Sequence, residues 1–174
     1  MTLAIDPGLR CLGYVVFDEN ENRLVEHGAF EHGPEEGDHP RRVMLYTEDV
    51  AGVFERVHPL TLAIEDQQPP GRGAGGEAKA RFWDLIAVAR LVGRLWGLAD
   101  GTDCEVEFVN PRAAKKALTG NGNASKDQIV NAALSQYGIT ERTKPRRESQ
   151  ADALGIALAS RRRLIDDRLR EAAR

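Results

Sequence analysis

Acidic residues stand where two predicted strands end, and this arrangement constrains the fold more than any other feature of the sequence. Asp6 and Glu65 each follow a short apolar run, and Glu148 and Asp152 lie four residues apart in a predicted late helix. Carboxylates that converge at one edge of a sheet repel each other unless a cation lies between them. Hard divalent cations prefer oxygen ligands, and Mg²⁺ suits such a cluster best. The sequence therefore predicts a metal site for phosphoryl-transfer chemistry.

The hydrophobic pattern predicts an α/β fold. Strands are expected at residues 2–6, 12–17, 23–30, 60–65 and 105–109, and helices at 41–58, 77–99, from 111, from 126 to about 137, and from near Glu148 onward. Tight turns between the first three strands favour an antiparallel meander, whereas helical crossovers make the later strands parallel. The chain shows no internal repeat and no long linker, so residues 1–174 are expected to form a single domain.

Composition limits the class of protein. Hydrophobic residues make up 41% of the chain, which is typical of a globular protein. No apolar run approaches the ~20 residues of a membrane span, and no secretory signal is recognisable at the N-terminus. Two cysteines are too few for a disulfide scaffold or a four-ligand zinc site. We therefore expect no membrane partner and a cytoplasmic location, or the host cytoplasm if the protein is viral.

Charge is distributed unevenly along the chain. Residues 1–68 hold 5 Lys/Arg and 14 Asp/Glu, whereas residues 69–174 hold 19 and 13. Local charge governs binding to phosphates, so the basic second half predicts contact with nucleic acid. The alternative is that these residues are solvated surface charges. Six of them are the candidate DNA-binding residues: Arg72, Lys79, Arg81, Lys115, Lys116 and Lys126.

Several short motifs occur in one order along nearly the whole chain. They are Ile5–Leu9, Leu12–Tyr14, Ala63–Glu65, Val109–Arg112 with Lys115 and Lys116, Gly120–Val130, and Ala151–Ala157. In content and order they resemble the RuvC family of Holliday junction resolvases. The segment around Lys126 is the most specific of them. The resemblance implies a ribonuclease H-like fold, with a mixed five-stranded sheet flanked by helices.

The resemblance also implies an activity and roles for residues. It implies a homodimeric, Mg²⁺-dependent endonuclease that nicks two opposed strands of a four-way DNA junction, with Mn²⁺ able to replace Mg²⁺. Two ions would occupy each active site. Asp6 would bridge them, Glu65 would hold one, and Glu148 with Asp152 would hold the other. Lys126 would lie near the scissile phosphate, and Lys116 would grip a flanking one.

One catalytic position departs from the family pattern. The fourth acid normally falls three residues before the last one, and here that position is Ser149. Glu148 is four residues before Asp152, and spacings of three and four share a helix face. We therefore expect Glu148 to act as the fourth ligand. The alternative is that Glu148 is a helix N-terminal acid favoured by the helix dipole.

Two further segments of the sequence predict contacts with DNA or with a second copy of the chain. The loop over residues 67–76 is rich in Gly and Pro but lacks the ending of a phosphate-binding P-loop. We expect it to contact the junction through Arg72, with a plain connector as the alternative. The helix over residues 77–99 is apolar around much of its circumference, which predicts burial on two sides. One side would pack on the sheet, and the other would form a dimer interface or lie under the chain's own terminal helices.

Two functions from other classes remain open at this stage. An inactive junction-binding protein would retain the fold, and Ser149 keeps this alternative open. An actin-like ATPase or sugar kinase also places an Asp after its first strand, but it needs two such domains, and 174 residues are too few. Cleavage of DNA with Mg²⁺ and without ATP separates all three.

Overall fold

The computed structural model describes residues 1–67 and 78–173, with side chains of 78–81 excepted. Within these residues, five strands and five α-helices follow in the order β1 Thr2–Asp6, β2 Leu12–Asp18, β3 Arg23–Phe30, α1 His39–Val57, β4 Thr61–Glu65, α2 Ala78–Ala99, β5 Glu105–Val109, α3 Pro111–Thr119, α4 Lys126–Tyr137 and α5 Lys144–Ala172. A short 3₁₀ helix, Pro34–Glu36, precedes α1. From residue 68 onward, the predicted 67–76 loop lies outside the described residues.

The strands form one mixed sheet in the order β3-β2-β1-β4-β5. Strands β1, β2 and β3 pair antiparallel, and β1, β4 and β5 pair parallel. This confirms the predicted meander followed by parallel strands. The two acid-bearing strands, β1 and β4, are adjacent at the centre of the sheet.

Helices cover both faces of the sheet, and strand alternation decides which residues face each layer. On one face, Leu3, Ile5, Leu62 and Ile64 pack with the apolar stripes of α1 and α2. On the other face, small residues such as Ala4 and Ala63 lie beneath α3, α4 and α5. Because these side chains are small, α5 can approach the sheet closely. This second face is the one that carries the functional site.

Gly13 sets the position of α5 on the sheet. A Cβ atom at Gly13 would lie 2.2 Å from the carbonyl oxygen of Ser149, so a side chain there would push the helix away. Gly13 pairs with Asp6 across β1 and β2. The backbone of α5 therefore rests on the strand next to the first acid.

The last helix begins earlier than the pattern predicted. We expected a start near Glu148, but α5 begins at Lys144, with Thr143 as its extended N-cap. Pro145 misled the prediction, because proline is well tolerated in the first turn of a helix. Glu148 consequently lies in the second turn. A helix dipole acts mainly within the first turn, so the reading of Glu148 as a helix N-terminal acid loses its support.

Two compositional points can be compared with the structure. Cys11 and Cys104 are both free thiols, as expected. Across residues 1–67 and 78–173, no helix combines the length and apolar character that crossing a bilayer requires.

Candidate active site

The two strand-end carboxylates lie side by side on the face covered by α5. Ile5 pairs with Ile64 in the parallel ladder, so Asp6 and Glu65 follow at the next register step. Alternation places both on the same face as Ala4 and Ala63. The sequence prediction that these two acids share one edge of the sheet is confirmed.

Helix α5 brings the third carboxylate to this edge. Asp152 is close enough for its charge to act on both Asp6 and Glu65, and its side chain is 12% exposed. One turn earlier, the Ser149 hydroxyl donates a hydrogen bond to the carbonyl oxygen of Cys11 at 3.5 Å, and it is close enough to Asp6 to favour the charged form of that carboxyl. The residue at the family's fourth acidic position therefore lies beside the first acid.

Lys126 enters the cluster from the start of α4. Ser125 caps this helix by accepting a hydrogen bond from the Gln128 backbone N–H, and the Gln128 side-chain oxygen accepts one from the Ser125 backbone N–H, which completes a capping box. The cap fixes Lys126 at the first helical position. Its ammonium group donates a hydrogen bond to the Asp152 carboxylate. The Lys126 motif and the three acids are thus brought together as predicted.

The electrostatics of the cluster follow from burial and repulsion. Burial first, then the charges of Asp152 and Glu65, raise the pKa of the Asp6 carboxyl well above its usual value, although Lys126 and Ser149 oppose the shift. Burial and the charge of Asp152 likewise raise the pKa of Glu65. For Lys126, burial alone would lower the pKa, but the attraction of Asp152 outweighs it and the pKa rises. The negative charge of the three carboxylates in this cluster therefore exceeds the positive charge that Lys126 supplies.

Glu148 lies at the margin of the cluster. Its side chain is 25% exposed, and Lys144 approaches its carboxylate to 3.6 Å across one helical turn. It is near enough for its charge to act on Lys126. Glu148 and Ser149 also line a cavity of about 600 Å³ beside the acids. Glu148 thus lines the cavity near Lys126, while Ser149 lies beside Asp6.

The candidate DNA-binding residues separate into three groups. Lys115 is partly buried, and its charge acts on Glu65, so it belongs to the site. Lys116 is exposed and lines a different groove of about 300 Å³ between α3 and the C-terminal half of α5. Arg72 lies outside the described residues, as do the side chains of Lys79 and Arg81. The structure does not bring Lys116 together with the carboxylates.

The donor set suits a hard divalent cation. Carboxylate oxygens are the ligands that Mg²⁺ and Mn²⁺ prefer, and the raised pKa values of Asp6 and Glu65 record negative charge that a cation would neutralise. Within the described part of the chain, no three His, Cys, Asp or Glu side chains already form a metal-binding group. The carboxylates of the cluster are suitable metal ligands, and they would have to move closer together to bind an ion.

Sequence reasoning missed Gln150, which holds the catalytic turn of α5 in place. Its side chain is fully buried. Its amide nitrogen donates to the Glu141 carboxylate at 3.1 Å, so its oxygen faces the Nδ1 atom of His27 on β3 at 2.6 Å. Since that oxygen only accepts, Nδ1 of His27 carries a proton. The sequence contained one signal for this role. Gln150 is a polar residue next to Ala151 and Ala153, in an apolar stretch of the predicted last helix where burial is expected.

Comparisons with known proteins agree with this geometry. The model of the family described as crossover junction endodeoxyribonuclease RuvC matches residues 2–160. A protein of that name from Chloroflexus aurantiacus is 30% identical over 162 residues, covering 90% of this chain and 89% of its own. The structure of Thermus thermophilus RuvC in complex with a Holliday junction substrate has a TM-score of 0.67 at 26% identity, covering 91% of this chain and 90% of its own. The yeast mitochondrial resolvase Ydc2, at 18% identity and a TM-score of 0.63, covers 92% of this chain and 77% of its own and shares the fold.

Proposed function

The chain belongs to the RuvC family of crossover junction endodeoxyribonucleases, and from this we propose that it resolves four-way DNA junctions by nicking two opposed strands. The family is one of metal-dependent nucleases. The observation that carries the proposal is the cluster of Asp6, Glu65 and Asp152 with Lys126 at the carboxyl edge of β1 and β4. Residues 1–174 would act as one nuclease domain.

The residues of the cluster divide the work of phosphodiester hydrolysis. Asp6, Glu65, Asp152 and Glu148 would hold two Mg²⁺ ions, replaceable by Mn²⁺, which would supply a nucleophilic water and stabilise the leaving oxygen. The charges of both Glu65 and Asp152 act on Asp6, which suits it to a ligand role shared with each of them. The Ser149 hydroxyl would favour the charged form of Asp6. Lys126 presents its charge where negative charge develops on the phosphate.

The fourth ligand is the first testable point. Glu148→Gln is expected to slow cleavage by about 100-fold, the upper range for disturbed metal sites, because it removes a charge that faces the cluster. Ser149→Ala should cost much less, since it removes a neutral polar group beside Asp6 and no charge. Single-turnover cleavage rates of the two variants at saturating Mg²⁺ make the comparison.

A rescue variant shows where the ligand belongs. If Ser149→Asp restores cleavage in the Glu148→Gln protein, the ligand role can occupy either position on this helix face. Near-normal cleavage by Glu148→Gln alone would show that three carboxylates are enough, and Glu148 would then lose its assigned role.

A second copy of the chain is the proposed partner on the outer face of α2. Phe82 is 53% exposed and Trp96 is 56% exposed, so the chain's own terminal helices do not cover this face, and that alternative is wrong. A side chain at Gly93 or Gly97 would meet open space, which leaves room for a helix to approach closely. Phe108 on β5 extends the patch, with its ring 5.7 Å from that of Trp96. A self-complementary patch of this kind suits a two-fold dimer.

Breaking the patch should separate the copies. Trp96→Glu is expected to convert a dimer into a monomer, because it places a charge in the centre of an apolar interface. Leu134→Glu is the matched control, since Leu134 is a 46% exposed apolar residue on α4, away from this face of α2. Light scattering after size exclusion measures the mass. A dimeric Trp96→Glu protein, or an equal loss with Leu134→Glu, contradicts the assignment of this face.

Contacts to the DNA are assigned by position. Lys115 and Lys126 would meet phosphates near the cut, and Lys116 would meet one farther along an arm, on the α3 side. Arg72, Lys79 and Arg81 would add contacts beside Glu65 and at the start of α2. Because the substrate is DNA, we place the protein in the cytoplasm, with the host cytoplasm as the viral equivalent.

One assay tests the proposed function directly. A four-way junction, a fork and a linear duplex of matched sequence are incubated with Mg²⁺ and without ATP. We expect paired nicks in the junction and much slower cutting of the duplex. Junction binding without any cutting would favour the inactive binding protein, and cutting that depends on ATP would contradict the family mechanism.

A further inference from the structure

A buried arginine that pairs with no carboxylate in the described part of the chain lines the cavity beside the acidic cluster. Arg42, in the first turn of α1, is only 6% exposed. Its Nη1 atom donates to the carbonyl oxygen of Leu9 at 3.0 Å, and its Nε atom is buried without a hydrogen-bond partner. Within the described residues, no carboxylate forms an ion pair with it. On the same helix, Arg56 shows the usual arrangement, with two hydrogen bonds to Glu26.

An unpaired buried charge is costly, so its position calls for a ligand. Guanidinium groups have five donors in a fork that matches the oxygens of a phosphate. Arg42 has donors to spare, and it lines the 600 Å³ cavity that Lys126, Glu148 and Ser149 also line. Cavities of about 300–1,000 Å³ are the usual size of ligand sites. This cavity therefore connects Lys126 with the guanidinium group of Arg42, most of whose donors make no hydrogen bond to the described residues.

We propose that this cavity is a second phosphate subsite, in which Arg42 binds the phosphodiester next to the scissile one. The proposal rests on the proposed function and names the contact that holds the cut strand in register. Leu9 follows Asp6-Pro7-Gly8, so Arg42 also links the bound phosphate to the loop that carries the first metal ligand. Arg42 is therefore a positioning residue and not a catalytic one.

The other charged groups of the cavity are compatible with an anion. Arg10 is exposed on the same wall and adds positive charge at the mouth. His39 and Asp84 face each other across the opening at 3.5 Å, so the Asp84 charge has a partner when His39 is protonated. The negative charge of Glu148 would repel a bound phosphate unless a metal ion binds to Glu148. Phosphate binding and metal binding are therefore expected to favour each other.

Arg42→Gln tests the subsite, because glutamine can keep a hydrogen bond to Leu9 while losing the charge. We expect the Kd for uncut junction to rise about tenfold, and the slope of log Kd against log salt to fall by about one per chain. The cleavage rate of saturated enzyme should change by less than about threefold. Arg42→Lys should recover part of the affinity. Arg41→Gln is the matched control, since Arg41 is the exposed neighbour on the same helix.

Inorganic phosphate supplies a readout that does not depend on cleavage. Phosphate is expected to raise the melting temperature of the parent and of Arg41→Gln more than an equal concentration of chloride, and not that of Arg42→Gln. An unchanged salt slope together with an unchanged phosphate effect would overturn the subsite. A parent that binds phosphate through Arg42 but cuts no junction would instead overturn the proposed function and leave the subsite standing.

Discussion

Replacing Asp6 by Asn is expected to abolish metal-dependent cleavage of four-way junctions, with a loss well beyond about 100-fold. Asn keeps the volume of Asp and removes the charge on which both Glu65 and Asp152 act. Junction binding should stay the same or become tighter, because one negative charge near the phosphates is lost. Cleavage is measured with limiting and saturating enzyme, and binding with Ca²⁺ in place of Mg²⁺. Cleavage by the variant at the parent's rate would remove Asp6 from the mechanism.

The same variant has a predicted effect on stability. Because the pKa of Asp6 is raised in the folded protein, the unfolded chain releases this proton first as pH rises. The Asp6 carboxyl therefore lowers the free energy of unfolding of the parent. This loss grows as pH rises from about 4, the ordinary pKa of Asp, to the raised pKa of Asp6 in the folded protein. In EDTA, Asp6→Asn should melt higher than the parent at neutral pH, and the difference should vanish toward pH 3. A constant difference across this range would contradict the argument that burial, together with the charges of Asp152 and Glu65, raises the pKa of Asp6.

Replacing Lys126 by Ala is expected to slow the chemical step by about 100-fold, the cost of removing one donor to the charge that develops in the transition state. The Kd for the junction should change far less, because an interaction made mainly in the transition state affects rate selectively. Lys126 reaches the cluster through its bond to Asp152, so it is held beside the carboxylates that we propose bind the metal ions. Single-turnover rates and equilibrium binding are compared for the same substrate.

Lys116→Ala is the matched control for Lys126. Lys116 carries the same charge, but it is exposed and lines the groove beside the C-terminal half of α5. Its loss should weaken binding and flatten the salt dependence while sparing the rate at saturation. If the whole effect of Lys126→Ala lay in affinity, Lys126 would be a phosphate anchor and its catalytic role would be wrong.

The sheet and its two strand-end acids could be predicted because short-range rules determine them. Strand alternation puts Asp6 and Glu65 on one face, and crossover connections make β1 and β4 parallel neighbours. The capping box at Ser125 marked the helix that carries Lys126. Each of these signals lies within a few residues of the feature that it predicts.

The rest depended on contacts between distant segments. No local pattern shows that Ser149 lies beside Asp6, because this position requires Gly13 to let α5 rest on β2. Gln150 is tied to His27, 123 residues away. Arg42 lies on the apolar stripe of α1 with Tyr46 and Val50, which was a usable signal, but only the three-dimensional structure shows that no described carboxylate pairs with it.

The number of Mn²⁺ ions bound per chain tests the central claim most directly, namely that these carboxylates form a two-metal site. Equilibrium titration by electron paramagnetic resonance, with uncleavable junction present, counts the ions. We predict two ions per chain for the parent and a loss of binding for Asp6→Asn, whereas Asp127→Asn, on the exposed side of α4, should bind like the parent. Equal Mn²⁺ binding by the parent and Asp6→Asn would contradict the account.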